Sequence, residues 1–211
     1  MEPARFFLIR HALVEATARS TLYGNMDVPL CDVSLKGEAG LYRWLAARLP
    51  RPAHWVASSL VRTHATAAAI FAAGYPDQAL AIEPDLAEQS LGEWQGLSHE
   101  AVVERLRHPP HPFWPHAALE QPPGGESFAD LQARVAPVME RLAEAHAGED
   151  VVIVAHGGSI RAALAHALAI DAHQALTFSI KNLSLTRLEK HGDDWRVVSV
   201  NEEPWILPDV D

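Results

Sequence analysis

Two apolar runs in this chain each end in a histidine. Phe6-Phe7-Leu8-Ile9 runs into Arg10-His11, and Val151-Val152-Ile153-Val154-Ala155 runs into His156-Gly157-Gly158. Four or five consecutive β-branched, aliphatic and aromatic residues leave no polar face, so each run reads as a strand buried on both sides. A polar turn with glycine then closes the second strand. Both imidazoles therefore belong at strand C-terminal ends, the edge where open α/β sheets hold their ligands.

The segments between these runs alternate strand and helix signals. A helix is predicted from Ser34, as a cap, through Leu41, Trp44, Leu45 and Leu49 until Pro50 ends it. Trp55–Ser58 reads as a second strand, Thr63–Ala73 as an alanine-rich helix closed at Gly74, and Ala79–Ile82 as a third strand. Glu126–Ala147 carries apolar residues at Phe128, Leu131, Val135, Val138 and Leu142, which is helical spacing, with a bend expected at Pro137. Ser159–Ala169 continues as helix after the second histidine. Ser184–Leu188 and Trp195–Val200 read as an antiparallel pair. The order predicts an α/β sandwich with a mixed sheet. Pro109 to Pro112 and Pro122 to Gly125 argue against regular structure, so about 108–125 is expected as a surface excursion or lid.

At 211 residues and 48% hydrophobic content, the chain is expected to form one domain over 1–211. The single cysteine, Cys31, cannot make an internal disulfide, and no apolar stretch is long enough to span a membrane. The N-terminus shows no secretory pattern and begins almost at once with a strand, so a cytoplasmic protein is expected. A formal net charge of -10 disfavours nonspecific nucleic-acid binding. Any anion site must be a local cluster.

Such a cluster is in reach. Arg62 lies just past the second strand and is placed over the same sheet edge as Arg10, His11 and His156. Forked guanidinium donors match phosphate oxygens, so Arg10 and Arg62 can grip one phosphoryl group from two sides, with His156 and the close backbone of Gly157 adding donors. A neutral imidazole is a competent phosphoryl acceptor, and that role falls to His11. Expelling an alkoxide also needs a proton. The loop Leu86 to Gly96 offers Glu88 as the donor, with Glu93 its competitor, and the like charge of a bound phosphate favours the protonated form of a neighbouring carboxyl.

These residues, in this order, resemble the histidine phosphatase superfamily, which includes cofactor-dependent phosphoglycerate mutases, the fructose-2,6-bisphosphatase domain and α-ribazole phosphatases. The resemblance rests on Phe7 to His11, Tyr23 to Leu30, Ser58 to Thr63, Leu86 to Gly96, Pro123 to Ser127 and Val154 to Gly158. It implies a three-layer α/β/α sandwich with a mixed, mostly parallel sheet, and a phosphohistidine intermediate on His11. It further implies a phosphate pocket of Arg10, Arg62 and His156, Glu88 as proton donor, and neither metal nor cofactor. Tyr23 and Gly24 enter the phosphate-binding set through the family's first loop. Thr17 enters it too, although it stands where the family often has asparagine. Ala12 replaces a common glycine, and Leu13 and Val14 replace a polar pair, so this loop is expected to read its substrate by apolar contact.

Other residues have plainer readings. His99, His108, His111 and His116 cluster around the proline-rich stretch, but their spacing fits no compact metal-ligand pattern. Trp44, Trp94 and Trp114 read as core or wall. Arg161 reads equally as a surface charge or a substrate contact. Three functions are consistent with the pattern: a phosphomonoesterase, a phosphoglycerate mutase that excludes water from its intermediate, and a non-catalytic phosphate-binding module. The length favours the first over the second, and the retained nucleophile and acid argue against the third. The substrate is expected to be a small phosphomonoester with an uncharged remainder, such as a sugar or nucleoside-like phosphate. Neither nucleic acid nor membrane is an expected partner, and homodimers are frequent in the superfamily.

Overall fold

The structure, a computed structural model, describes residues 2–204. Met1 and 205–211, which the single-domain expectation also spans, lie outside them. In chain order the elements are β1 (Ala4–Arg10), α1 (Ala16–Arg19), α2 (Asp32–Gly37), α3 (Ala39–Arg48), β2 (His54–Ala57), α4 (Val61–Ala72), β3 (Leu80–Ile82) and α5 (His99–Val103). They continue with α6 (Phe128–Ala145), β4 (Asp150–Ala155), α7 (Gly157–Leu168), α8 (Ala172–Ala175), β5 (Leu185–His191) and β6 (Asp194–Glu202).

One six-stranded sheet runs β3-β2-β4-β1-β5-β6. β1, β2, β3 and β4 are parallel, and β5 and β6 close the sheet as antiparallel strands. The two histidine-terminated strands lie side by side at its centre, paired from Arg5↔Asp150 to Arg10↔Ala155. Both are covered on each face, which is why neither alternates polar and apolar residues. Phe6, Leu8, Val151, Ile153 and Ala155 pack against α6 and α7 in one core cluster. Their neighbours Phe7, Ile9, Val152 and Val154 point the other way, against α3 and α4. Three layers result, as expected.

Where the elements differ from expectation, local chemistry accounts for it. The single helix predicted from Ser34 is two, because the chain leaves helical geometry at Glu38 (φ -94°, ψ 15°) directly after Gly37, a poor helix former. Ser34 sits inside α2, which follows Cys31, and caps nothing. α6 begins with a capping box in which Ser127 Oγ accepts from Asp130 N and an Asp130 carboxylate oxygen accepts from Ser127 N. It continues past Pro137, whose missing N–H removes only one bond from an 18-residue helix buried along its core face.

The excursion at about 108–125 has no helix or strand, yet it is fastened down. The buried Glu120 carboxylate accepts from the backbone N–H groups of Arg107 and His108, and Trp114 packs edge-on to Phe128. No helix among the described residues is long and apolar enough to cross a membrane.

Candidate active site

Strand register assembles the site. His11 N–H donates to Ala155 O across the β1–β4 pair (2.9 Å), so His11 and His156 emerge beside one another, with ring centroids 5.1 Å apart. β2 lies on the other flank of β4 through Ala57↔Val154, which brings Ser58 and the first turn of α4, carrying Arg62, to the same edge. Glu88 arrives from the loop after β3.

His11 is fully buried, and its Nδ1 lies 2.7 Å from Ala12 O. A carbonyl can only accept, so Nδ1 carries a proton. Burial first, then the charges of Arg62 and Arg10, hold the ring well below its ordinary value, so it is neutral and Nε2 is unprotonated. A sequence cannot show which nitrogen is available; the partner of Nδ1 decides it.

His156 is likewise buried and held neutral, by desolvation first and then by Arg62. Its Nδ1 accepts from Arg62 Nε (3.2 Å), which leaves the proton on Nε2, 2.7 Å from Ser58 Oγ. Ser58 Oγ in turn lies 3.2 Å from Thr63 Oγ1, whose hydroxyl donates to Leu60 O. Both nitrogens of His156 are thus engaged by protein groups, and the ring fixes Arg62 as firmly as Arg62 fixes it.

Arg62 is wholly buried, with no carboxylate among the described residues in ion-pair contact with it. Its NH1 and NH2 groups donate to Met26 O (2.6 Å) and Gly24 O (2.8 Å), and its guanidinium lies 5.4 Å from the centre of the Tyr23 ring. Tyr23 and Gly24 therefore touch the arginine. Gly24 has φ +43°, and a Cβ there would stand 2.7 Å from Gln89 O, so both conformation and space call for glycine. Arg10 donates from NH1 to Ile180 O (2.6 Å), while its buried Nε has no hydrogen-bond partner. An unpaired buried donor costs about 1–3 kcal/mol, which an anion in the site would recover.

Glu88 lies at the start of α7, where its carboxylate accepts from Gly158 N (3.1 Å) and Gln89 N (2.9 Å). Its loop is clamped. Ser90 N donates to Glu126 Oε1, Gln89 Nε2 to Glu126 O, and Arg134 pairs with the Glu126 carboxylate while donating to Asp85 O and Ala87 O. The Gly92 and Gly125 backbones press together, and a Cβ on Gly92 would lie 2.1 Å from Pro123 O. The glycines and the Glu126 carboxylate of these two motifs thus hold the Glu88 loop in place.

Of the residues expected at the site, Arg10, His11, Arg62, Glu88, His156, Gly157, Tyr23 and Gly24 converge. Thr17 does not: α1 turns its side chain outward to solvent, whereas Arg19 and Thr21 of the same segment line the cavity that opens onto Arg10, Tyr23, Gly24 and Glu88. That cavity, about 250 Å³, is walled by Leu13, Val14, Leu22 and Leu91, by Trp114 to His116 of the excursion, and by Gln89, His99 and Asn182. The four histidines considered for a metal do not converge.

Two further residues lie at the site: Arg161, which the sequence leaves open between a surface charge and a substrate contact, and Asn182, which the sequence does not single out. Arg161 is buried, its NH1 donating to Gly157 O and its Nε to Phe178 O under the Trp114 ring (4.6 Å). Desolvation first, then Arg10, brings it down to about 10. Its position one turn into α7 was a signal that competed with an equally ordinary surface reading. Asn182 donates from Nδ2 to His11 O (2.7 Å), a contact 171 positions apart in the chain that no local pattern announces.

The buried histidines also set how acid acts on the fold. His11 and His156 are neutral when folded and titrate near 6.5 when unfolded, so the unfolded chain binds more protons as pH falls below that value. Stability is full above about pH 6.5 and is lost below it, by up to about 1.4 kcal/mol per pH unit per histidine. Melting temperature should fall steadily from pH 7 to pH 5, and less steeply in His11→Asn; a flat profile would contradict the protonation states assigned above.

Known proteins place this geometry. The family model of the histidine phosphatase superfamily (branch 1) matches residues 6–203. The chain is 30% identical over 200 residues to a metal-independent phosphoserine phosphatase of Arabidopsis thaliana, covering 94% of this chain and 83% of that one. It is 33% identical over 177 residues to a glucosyl-3-phosphoglycerate phosphatase of Mycolicibacterium vanbaalenii, covering 81% and 76%. A solved mycobacterial glucosyl-3-phosphoglycerate phosphatase superposes with a TM-score of 0.80 at 26% identity, over 95% of this chain and 99% of that one. A shared sequence pattern from the first strand to the last, carried on a shared fold, leaves one conclusion: the chain belongs to the histidine phosphatase superfamily, branch 1.

Proposed function

We propose that this chain is a metal-independent phosphomonoesterase that works through a phosphohistidine on His11. The observation that carries the reading is the tautomer: a neutral ring whose Nδ1–H is spent on Ala12 O has an unprotonated Nε2 between two arginines. Nε2 attacks phosphorus, the N–P bond forms as the ester P–O bond breaks, and Glu88 gives its proton to the departing oxygen. Water then attacks phosphorus as the Glu88 carboxylate takes its proton, and the N–P electron pair returns to Nε2. Arg10, Arg62 and the Gly157 N–H hold the phosphoryl oxygens, supplying positive charge where negative charge collects. His156 serves the phosphate through Arg62, whose Nε it accepts from and so holds in place.

The cavity shapes the substrate reading. Leu13 and Val14 offer the apolar contact expected of the first loop, and Arg19 adds a cation at the wall. A small monophosphate fits, and Arg19 favours one with a carboxylate, as in the phosphoserine and glucosyl-3-phosphoglycerate of the relatives' names, over the uncharged remainder read from sequence. Phosphate release should be measured with EDTA from O-phosphoserine, a glucosyl-3-phosphoglycerate and a neutral sugar phosphate. Release that survives EDTA is expected, with higher kcat/KM on the carboxylates. No release, with 3-phosphoglycerate isomerised instead, would replace this reading with a mutase.

A further inference from the structure

The opposite end of the parallel strands carries a cluster that the phosphoryl chemistry does not use. His54 opens β2, His146 ends α6, and Glu149 stands just before β4. Strand pairing brings them together: β2 joins β4 through His54↔Val151, so the start of one strand lies against the turn entering the other. The turn itself is closed by Glu149 N–H donating to His146 O (3.0 Å), with Gly148 at φ +83°. Backbone bonds thus set the spacing of all three side chains.

Both imidazoles aim a nitrogen at one carboxylate oxygen. His54 Nε2 lies 2.8 Å and His146 Nδ1 3.2 Å from Glu149 Oε2, and the two rings lie against each other at 4.1 Å between centroids. The three ligand atoms all lie within 4.8 Å of one another. We propose that His54, His146 and Glu149 form a binding site for a divalent transition-metal ion of the zinc class.

Tetrahedral zinc with bonds of about 2.0–2.2 Å separates its ligand atoms by about 3.4 Å, so the two N···O separations have to open by about 0.6 and 0.2 Å and the N···N separation, within 4.8 Å, to settle toward the same value. Two imidazoles and one carboxylate are borderline donors that suit zinc, nickel or copper(II), whereas magnesium and calcium require oxygen shells. The side chains of His54 and Glu149 are about half exposed, 49% and 53%, which leaves the remaining coordination to water and a path for entry. The neighbouring Arg5 guanidinium is paired with Asp150, so its charge is answered locally. His54 stands about 13 Å along the strand from Ser58, far enough that the ion would take no part in phosphoryl transfer. Its effect would be to tie the start of β2 and the end of α6 to the start of β4, resisting separation of that sheet edge.

The test uses zinc itself as probe on EDTA-stripped, re-dialysed full-length chain at pH 7.5. Equilibrium dialysis should find one zinc per chain, and melting temperature should rise by about 3–5 °C for each tenfold excess over the dissociation constant. His54→Ala and Glu149→Ala should lose that equivalent and the shift while keeping phosphatase activity in EDTA. His11→Ala should keep both, which separates this site from the buried histidines. Absence of bound zinc, or a zinc equivalent that persists in His54→Ala, would overturn the proposal.

Discussion

Replacing His11 with alanine should lower kcat/KM by about 10⁴-fold or more, the scale on which loss of a catalytic nucleophile is measured. No neighbouring group takes over. His156, the nearest imidazole, has its Nδ1 on Arg62 and its Nε2 on Ser58, so neither nitrogen is available to attack phosphorus. The phosphate grip should survive, because Arg10 and Arg62 are held by Ile180 O, Gly24 O and Met26 O, none of which depends on His11. The variant is therefore expected to bind inorganic phosphate much as the native chain does while failing to turn over esters. Rapid acid-free quenching with labelled substrate should trap label on the native chain as an acid-labile phosphoramidate and none on His11→Ala. Label on the variant, or turnover within tenfold of native, would remove His11 from the reaction.

Gly158→Ala should cost about 10²–10⁴-fold in kcat on esters with alkoxide leaving groups, the usual worth of a positioned general acid. By helix propensity alone the change is favourable, since alanine is preferred over glycine inside a helix by about 1 kcal/mol. Tertiary contact reverses that sign. A Cβ at position 158 would stand 2.0 Å from Glu88 Oε1 and 2.9 Å from Leu131 Cδ2, so the carboxylate has to leave its seat at the start of α7. The charged end of Glu88 is mobile enough to move, which means that the chain still folds and the acid is misplaced. An activated aryl phosphate, whose leaving group needs no proton, should be cleaved at close to the native rate. Glu88→Gln should reproduce the same leaving-group dependence. Equal losses on both kinds of ester would show that Gly158→Ala damages phosphate binding rather than proton donation.

The residues that converge and the residue that does not show where sequence reasoning is strong. Arg10, His11 and His156 were placed by an argument about strand ends, and strand ends are local: a run of apolar residues and the turn after it set them without reference to anything distant. Thr17 was placed by analogy of position, and α1 sends it to solvent because a single helical turn rotates successive side chains by about 100°. Ser34 failed as a cap for a similar reason, since a cap is defined by where the backbone leaves helical geometry, and here that happens before Asp32 and again at Glu38. Arg161 stays open between a surface charge and a substrate contact in the sequence because its burial is supplied by Trp114 and Phe178, which reach it from other segments.

The amino-acid sequence by itself determined the alternation of elements, the two central strands buried on both faces, the mixed sheet and the convergence of Arg10, His11, Arg62 and His156 at one sheet edge. Those features follow from residue periodicity and from the chemistry each side chain brings. Only the tertiary structure decided which nitrogen of His11 is unprotonated, that His156 braces Arg62, that glycine at 158 makes room for Glu88, and that His54 meets His146 and Glu149. Each of these is a contact between residues brought together by sheet register and helix packing. Donor direction, burial and free volume at such contacts are properties of three-dimensional neighbours rather than of position along the chain.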